Sequence, residues 1–178
     1  VFDRCNERLH EDLFATQGLL RTFRVAVVCT TDDPVDSLEH HRTLAARSDP
    51  DTRVYPTWRP DKALAVENPE AFNAWVVRLE RACGVSVGGS LTSFLDAMQS
   101  RHDAFHEMGC RASDHGLETI YAENWTEAEV SASFERVRAG HVLDPGQAIK
   151  LKSALLYTLA LLDHARGWVQ QFHLGALR

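Results

Sequence analysis

Arg24-Val25-Ala26-Val27-Val28-Cys29-Thr30 is a short, nearly continuous apolar run, and Thr31-Asp32-Asp33-Pro34 follows it directly. An unbroken apolar run of this length is how a strand covered on both faces reads. Asp33 suits a helix N-cap and Pro34 the first helical position. The pattern therefore predicts a strand and then a helix to about Arg47, with Leu38, Leu44 and Ala45 turned inward. A buried strand feeding a helix is the opening half of a parallel crossover unit.

The same alternation continues along the chain. Ser48-Asp49-Pro50-Asp51 reads as a turn, and Arg53 to Trp58 as a second strand that ends in Arg59-Pro60-Asp61-Lys62. Phe72, Trp75, Val76, Leu79 and Cys83 then recur at helical spacing, with Gly84 placed to end the helix. Leu91, Phe94, Leu95, Met98 and Phe105 form another apolar stripe behind a capping Ser90. Cys110 to Ser113 predicts a third strand, leading into Asp114-His115-Gly116. Thr126 and Glu129 have the spacing of a capping box, in a helix that Gly140 closes. Pro145 opens a long helix, apolar at Ile149, Leu155, Leu156, Leu159 and Leu162, that Gly167 ends. Trp168 to Phe172 predicts the last strand. Strands alternating with helical segments imply an α/β fold with parallel pairing. No internal repeat or linker interrupts it.

The composition narrows the function classes. Of 178 residues, 44% are hydrophobic and 25% charged, which is ordinary globular usage. The length is short of the roughly 250 residues of a closed eight-stranded barrel, and both ends read as cut. The formal net charge is −6 without a basic block, which argues against nucleic-acid and anionic-membrane partners. No apolar run reaches the roughly 18 residues of a membrane span. Cys5, Cys29, Cys83 and Cys110 form no C-x-x-C pair, so neither a structural zinc site nor a disulfide scaffold is expected, and a reducing, cytoplasmic setting is. No G-x-G-x-x-G or Walker sequence points to a nucleotide.

Residues able to do chemistry gather just after the strands: Asp32 and Asp33, Arg59 and Asp61, Asp114 and His115, His173 and Arg178. In parallel α/β architectures the C-terminal strand ends converge on the functional face. Asp32 and Asp33 read either as turn and cap residues or as a polar wall of a site. Arg59 offers a planar fork of donors that matches a carboxylate, against the alternative of a surface ion pair. Asp114 beside His115 suits proton transfer or ligand orientation, or is a turn Asp with a partly exposed His. His173 reads as a metal ligand, a hydrogen-bond partner of a substrate oxygen, or a satisfied core histidine. His10, His40, His41, His102, His106, His141 and His164 read as surface residues.

Four strings taken in order resemble the uronate (glucuronate) isomerase family. They are Cys29-Thr30-Thr31-Asp32-Asp33-Pro34, Trp58-Arg59-Pro60-Asp61-Lys62, Arg111-Ala112-Ser113-Asp114-His115-Gly116, and Gly167 to Arg178 (GWVQQFHLGALR). The resemblance implies the amidohydrolase superfamily and a (β/α)8 TIM barrel, of which residues 1–178 would be one incomplete segment covering strands two to five. It implies aldose–ketose isomerisation of hexuronates, D-glucuronate to D-fructuronate and D-galacturonate to D-tagaturonate, by an intact parent enzyme, the segment alone being inactive. Asp114 and His173 would be catalytic, and Arg59, Arg178 and Asp32 would bind substrate. Zinc or another divalent metal belongs to the intact parent, with His173 as one ligand. The family's His-x-His and its late-strand Asp are not in this chain, so the segment would hold no metal by itself. A homo-oligomer of the intact enzyme is implied. Alternatives are a metal-dependent hydrolase of the same superfamily and a non-catalytic sugar-acid binding domain.

Overall fold

In the computed structural model, which describes residues 1–47 and 52–175, four parallel strands lie side by side in chain order with helices between them. The strands are β1 (Val27–Cys29), β2 (Arg53–Tyr55), β3 (Ala112–Leu117) and β4 (Val169–Leu174). The helices are α1 (Phe2–Leu9), α2 (Thr16–Thr22), α3 (Glu39–Ala45), α4 (Pro69–Cys83), α5 (Leu91–Glu107), α6 (Glu127–Arg138) and α7 (Pro145–Arg166), with 3-10 turns at Asp12–Phe14 and Asp61–Leu64. The predicted turn at 48–51 lies outside the described residues, and so does Arg178.

β1 pairs with β2, and β3 with β4 over six residues. Trp58 joins the two pairs. It bridges to Asp32 on one side and Ser113 on the other, donating its amide to the Ala112 carbonyl (3.1 Å) and accepting from the Asp114 amide (2.8 Å). The β1–β2 ladder stops at Tyr55, where the Thr57 amide turns to the Asp32 carboxylate, and a bridge re-forms at Trp58. The Trp58 side chain is buried edge-on against Phe105 and His102. It thereby anchors the centre of the row to α5.

The helix signals in the sequence correspond to real caps. Asn68 and Ser90 cap α4 and α5 through side-chain oxygens, and Pro69 sits in the first turn of α4. Thr126 with Glu129, and Asp144 with Gln147, form reciprocal capping boxes on α6 and α7. Gly84 and Gly167 end their helices in the left-handed region, at φ 71° and 65°. The apolar stripes of α4, α5 and α6 meet in a cluster of Phe72, Trp75, Phe94 and Phe134, with Leu151, Leu155 and Leu159 of α7 also in the core. Gly109 is required for a different reason. At φ 91°, a Cβ there would fall 2.5 Å from the Tyr55 ring, so glycine lets the turn into β3 close over β2.

Several expectations are corrected. The helix after β1 begins at Glu39, five residues later than Pro34. Asp33 cannot act as its N-cap because its carboxylate is engaged elsewhere: Oδ1 accepts from the Val35 amide and the Trp75 indole, and Oδ2 pairs with Lys62. Asp36 takes the Asp33 amide, and Arg101 of α5 donates to the carbonyls of Pro34 and Asp36, both at 2.8 Å. The segment is thus held as a loop, and Leu38 is buried in a left-handed conformation. Within α3 it is His41 that is buried, whereas Leu44 is half-buried and Ala45 exposed. His102 is buried too, so these two histidines are not surface residues. β1 is not covered on both faces: Val27 and Cys29 are exposed, and with Tyr55, Thr57 and Ala112 they line a cavity of about 380 Å³. β3 and β4 run further than predicted, taking Asp114, His115, Gly116 and His173 into the strands. Helices α1 and α2 were not anticipated. α1 buries no residue and α2 only Gly18.

Candidate functional site

Strand alternation sorts the polar residues by face. Arg59, Asp114 and His173 come from three adjacent chain segments and meet at the ends of β2, β3 and β4. Arg59 Nη2 lies 3.2 Å from Asp114 Oδ2, and His173 Nδ1 lies 2.6 Å from Asp114 Oδ1. Asp114 is therefore the hub, buried and engaged on both oxygens, while half of the His173 side chain remains exposed (51%). A carboxylate can only accept, so Nδ1 of His173 carries the proton of this bond. The amide of Gln171, 3.2 Å from His173 Nε2, then donates to that nitrogen. This fixes the tautomer and leaves Nε2 as the basic atom on the accessible side.

Asp61, the first residue of the 3-10 turn after β2, completes the cluster. Its Oδ2 is 3.3 Å from Arg59 Nε, and both its oxygens are 3.2 Å from the Gly116 amide. Pro60 restricts the backbone between Arg59 and Asp61 and helps present both to the same place. Arg59 is a quarter exposed (26%), so part of its fork of donors is open to a ligand.

Asp32 does not join this group. Its carboxylate accepts from the Thr30 hydroxyl (2.6 Å) and the Thr57 amide (3.3 Å), and His41 Nε2 lies 3.8 Å away. Its place opposite Trp58 puts it on the face that meets α3. It ties the ends of β1 and β2 together, apart from the Arg59–Asp114–His173 cluster. Arg178 lies outside the described residues. His115, adjacent to Asp114, points to the opposite face, stacked on Phe172 at 5.0 Å. Burial pushes its imidazole below the usual range and keeps it neutral.

On that opposite face lies a second polar group that sequence reasoning missed. The buried Asp163 of α7 lies 3.0 Å from His102 Nε2 and accepts from the Ser113 hydroxyl (2.6 Å) and the Gln170 amide (3.0 Å). His102 also stacks on Trp168 at 3.8 Å. The group ties β3 and β4 to α5 and α7. Its only advance signal was the placement of Asp163 among the apolar positions of a long helix.

Among the described residues no three His, Cys, Asp or Glu side chains form a group that could hold a metal ion. The described residues by themselves do not make a zinc site. Their nearest approach is His173, whose Nδ1 is held by a carboxylate as in many metal-binding histidines.

Fold and site together define an α/β chain of parallel strands with a carboxylate–imidazole–guanidinium cluster at the strand ends. The glucuronate isomerase family model matches residues 1–178, and the chain belongs to that family. It is 46% identical to a uronate isomerase of Cellvibrio japonicus and 45% identical to one of Bacteroides thetaiotaomicron, over all 178 residues in each case. The chain spans 38% of the length of those relatives. Among solved structures it is similar to a uronate isomerase from Thermotoga maritima (TM-score 0.85, 34% identity, 91% of this chain and 35% of that one). It is also similar to a glucuronate isomerase from Caulobacter crescentus (TM-score 0.86, 28% identity, 97% and 35%).

Proposed function

We propose that this chain is a segment of the catalytic domain of a uronate isomerase that interconverts D-glucuronate with D-fructuronate and D-galacturonate with D-tagaturonate. Family membership over the whole chain supports it. The observation that carries it to named residues is the Arg59–Asp114–His173 cluster at three neighbouring strand ends. The reaction moves a proton between C2 and C1 of an open-chain sugar acid. It needs a base, a donor for the oxygen that gains charge, and an anchor for the carboxylate. His173 Nε2 is the accessible basic atom, and Asp114 orients the imidazole. Arg59 donates to a carboxylate or hydroxyl oxygen. Arg178 is a second anchor of the same kind. A divalent ion such as zinc would need most of its ligands from outside these residues, with His173 as one.

Four parallel strands in chain order, with helices between them, suit part of a (β/α)8 barrel. The exposed faces of β1 and β4, at the two ends of the row, support further strands covering them. The free cysteines suit a reducing, cytoplasmic setting, and the intact enzyme is proposed to be a homo-oligomer acting on small-molecule hexuronates.

The test is made on the longer polypeptide that contains this segment, incubated with D-glucuronate and assayed for ketose formation. Arg59→Ala and Asp114→Asn are each expected to lower kcat/KM by about 100-fold or more, the usual scale for losing an anchor or an acid–base partner. Near-wild-type kinetics in both variants would remove the cluster from the mechanism. Release of a new acid in place of a ketose would make the enzyme a hydrolase.

A further inference from the structure

Asp61 stands between two strand ends and touches the guanidinium of Arg59. Both its oxygens face the Gly116 amide of β3, which fixes the carboxylate in place. Arg59 lies between two carboxylates, with Nη2 toward Asp114 and Nε toward Asp61. The two contacts are not equivalent. Arg59 Nε is buried and its N–H is aligned with no acceptor among the described residues, although Asp61 Oδ2 is only 3.3 Å away. A buried donor without an aligned acceptor is costly, and a small turn of the guanidinium would place this one on Asp61.

We propose that Asp61 is a positioning residue for Arg59. It is the pivot on which the guanidinium turns when a ligand oxygen draws the Nη edge away from Asp114. In the structure Asp114 is engaged by Arg59 and His173 at once. A ligand oxygen that bonds along the Nη2 edge of Arg59 competes with Asp114 for it. With Asp61 ready to receive Nε–H, the guanidinium exchanges one carboxylate for another and is not stranded. Asp114 is left to His173 and the ligand. This inference rests on the hexuronate reading of the site and adds to it a residue with no direct substrate contact.

Two measurements test it. The first needs no activity. In the 15N-labelled chain the Arg59 Nε–H signal is identified by its loss in Arg59→Lys, and its exchange with water is compared between wild type, Asp61→Asn and Asp61→Ala. Exchange is expected to be at least tenfold faster in Asp61→Ala. Asp61→Asn, which keeps an acceptor oxygen and nearly the same volume, is expected to lie between. Equal rates in wild type and Asp61→Ala would overturn the proposal. The second uses the longer polypeptide with D-glucuronate, scaled to the folded fraction. Asp61→Ala should raise KM about tenfold or more, with partial recovery in Asp61→Asn. A variant that loses only thermal stability, with kcat and KM unchanged, has a merely structural Asp61. If the wild-type polypeptide isomerises no hexuronate, the functional reading fails by itself and the exchange measurement still decides the role of Asp61.

Discussion

Asp163 shows how much one buried side chain can organise. Three donors from α5, β3 and β4 converge on its carboxylate, which is 1% exposed. Asp163→Ala would leave the Ser113 hydroxyl, the Gln170 amide and the His102 ring without that acceptor in a site water does not reach. Stranding buried partners of a charged group costs roughly 3 kcal/mol or more. For a chain of this size that corresponds to a fall in Tm of roughly 6–12 °C. Thermal unfolding followed by circular dichroism checks this, and a fall under about 2 °C would mean the group contributes little. His115 allows a pH test. Its imidazole is held neutral by burial, below its ordinary value of 6.5, while the unfolded chain takes up the proton as pH drops through 6.5. The unfolded state then binds more protons, so stability from this residue is complete above 6.5 and declines below it. His115→Phe, which keeps a ring against Phe172, is expected to flatten the stability–pH curve below 6.5. Parallel curves for the two proteins would show that His115 does not contribute. Cys110 is the third case: burial raises its thiol to about 11, so an alkylating reagent at neutral pH should label exposed Cys5 and Cys29 well before it. Mass spectrometry of the peptides reads the order, and early labelling of Cys110 would contradict its burial.

At the scale of elements, the local rules that survived folding were those satisfied within a few residues. The Thr126–Glu129 box is one. Glu129 accepts from the Thr126 amide and hydroxyl and pairs with Lys150 of α7, and these contacts bring its carboxyl down to about 2, the Lys150 bond contributing most. A depressed carboxyl stabilises the folded state above its unfolded value of 4.5, and the contribution is lost as pH falls toward 2. Lys150→Met should therefore raise the Glu129 titration midpoint seen by carbon NMR. An unchanged midpoint would assign the shift to the cap alone. Caps and glycine stops were legible in the sequence because each depends on neighbouring residues. The loop after β1 was not. Asp33-Pro34 has the composition of a helix start, but the Trp75 indole and Lys62 claim the Asp33 carboxylate, and Arg101, 65 residues from Asp36, claims the carbonyls. The surroundings of Asp32 were hidden by the same cause. Its position after a strand was readable, but its face depended on a bridge to Trp58 that the break at Pro56 obscures. The Arg59–Asp114–His173 cluster was legible because three strand ends each carried a polar residue on the same face. Asp61 was visible as a neighbour, but its grip on Gly116 needed the register of β3.

For the whole molecule, the distribution of exposed apolar side chains bears on the proposed barrel. Val27 on β1 is 49% exposed and Val169 on β4 is 68% exposed. Both are on edge strands of the four-strand row, on the face that also carries Cys29 and Ala112. Edge strands with open apolar faces are associating surfaces in isolation and core in a closed barrel. Val169→Lys separates these states. In the 178-residue chain the side chain already meets solvent, and the substitution should change stability by less than about 0.5 kcal/mol while lowering self-association. In the longer polypeptide a lysine on the inner wall of a closed barrel would be desolvated without a partner. A loss of several kcal/mol, or no soluble protein, is then expected. The two measurements are denaturant unfolding of both forms and light scattering of the short one. Equal, small effects in both would mean that this face stays open in the longer protein, and the strands would belong to an open sheet. A large effect confined to the longer form would place β4 in a covered barrel wall, where His173, four residues further along the same strand, sits at its mouth.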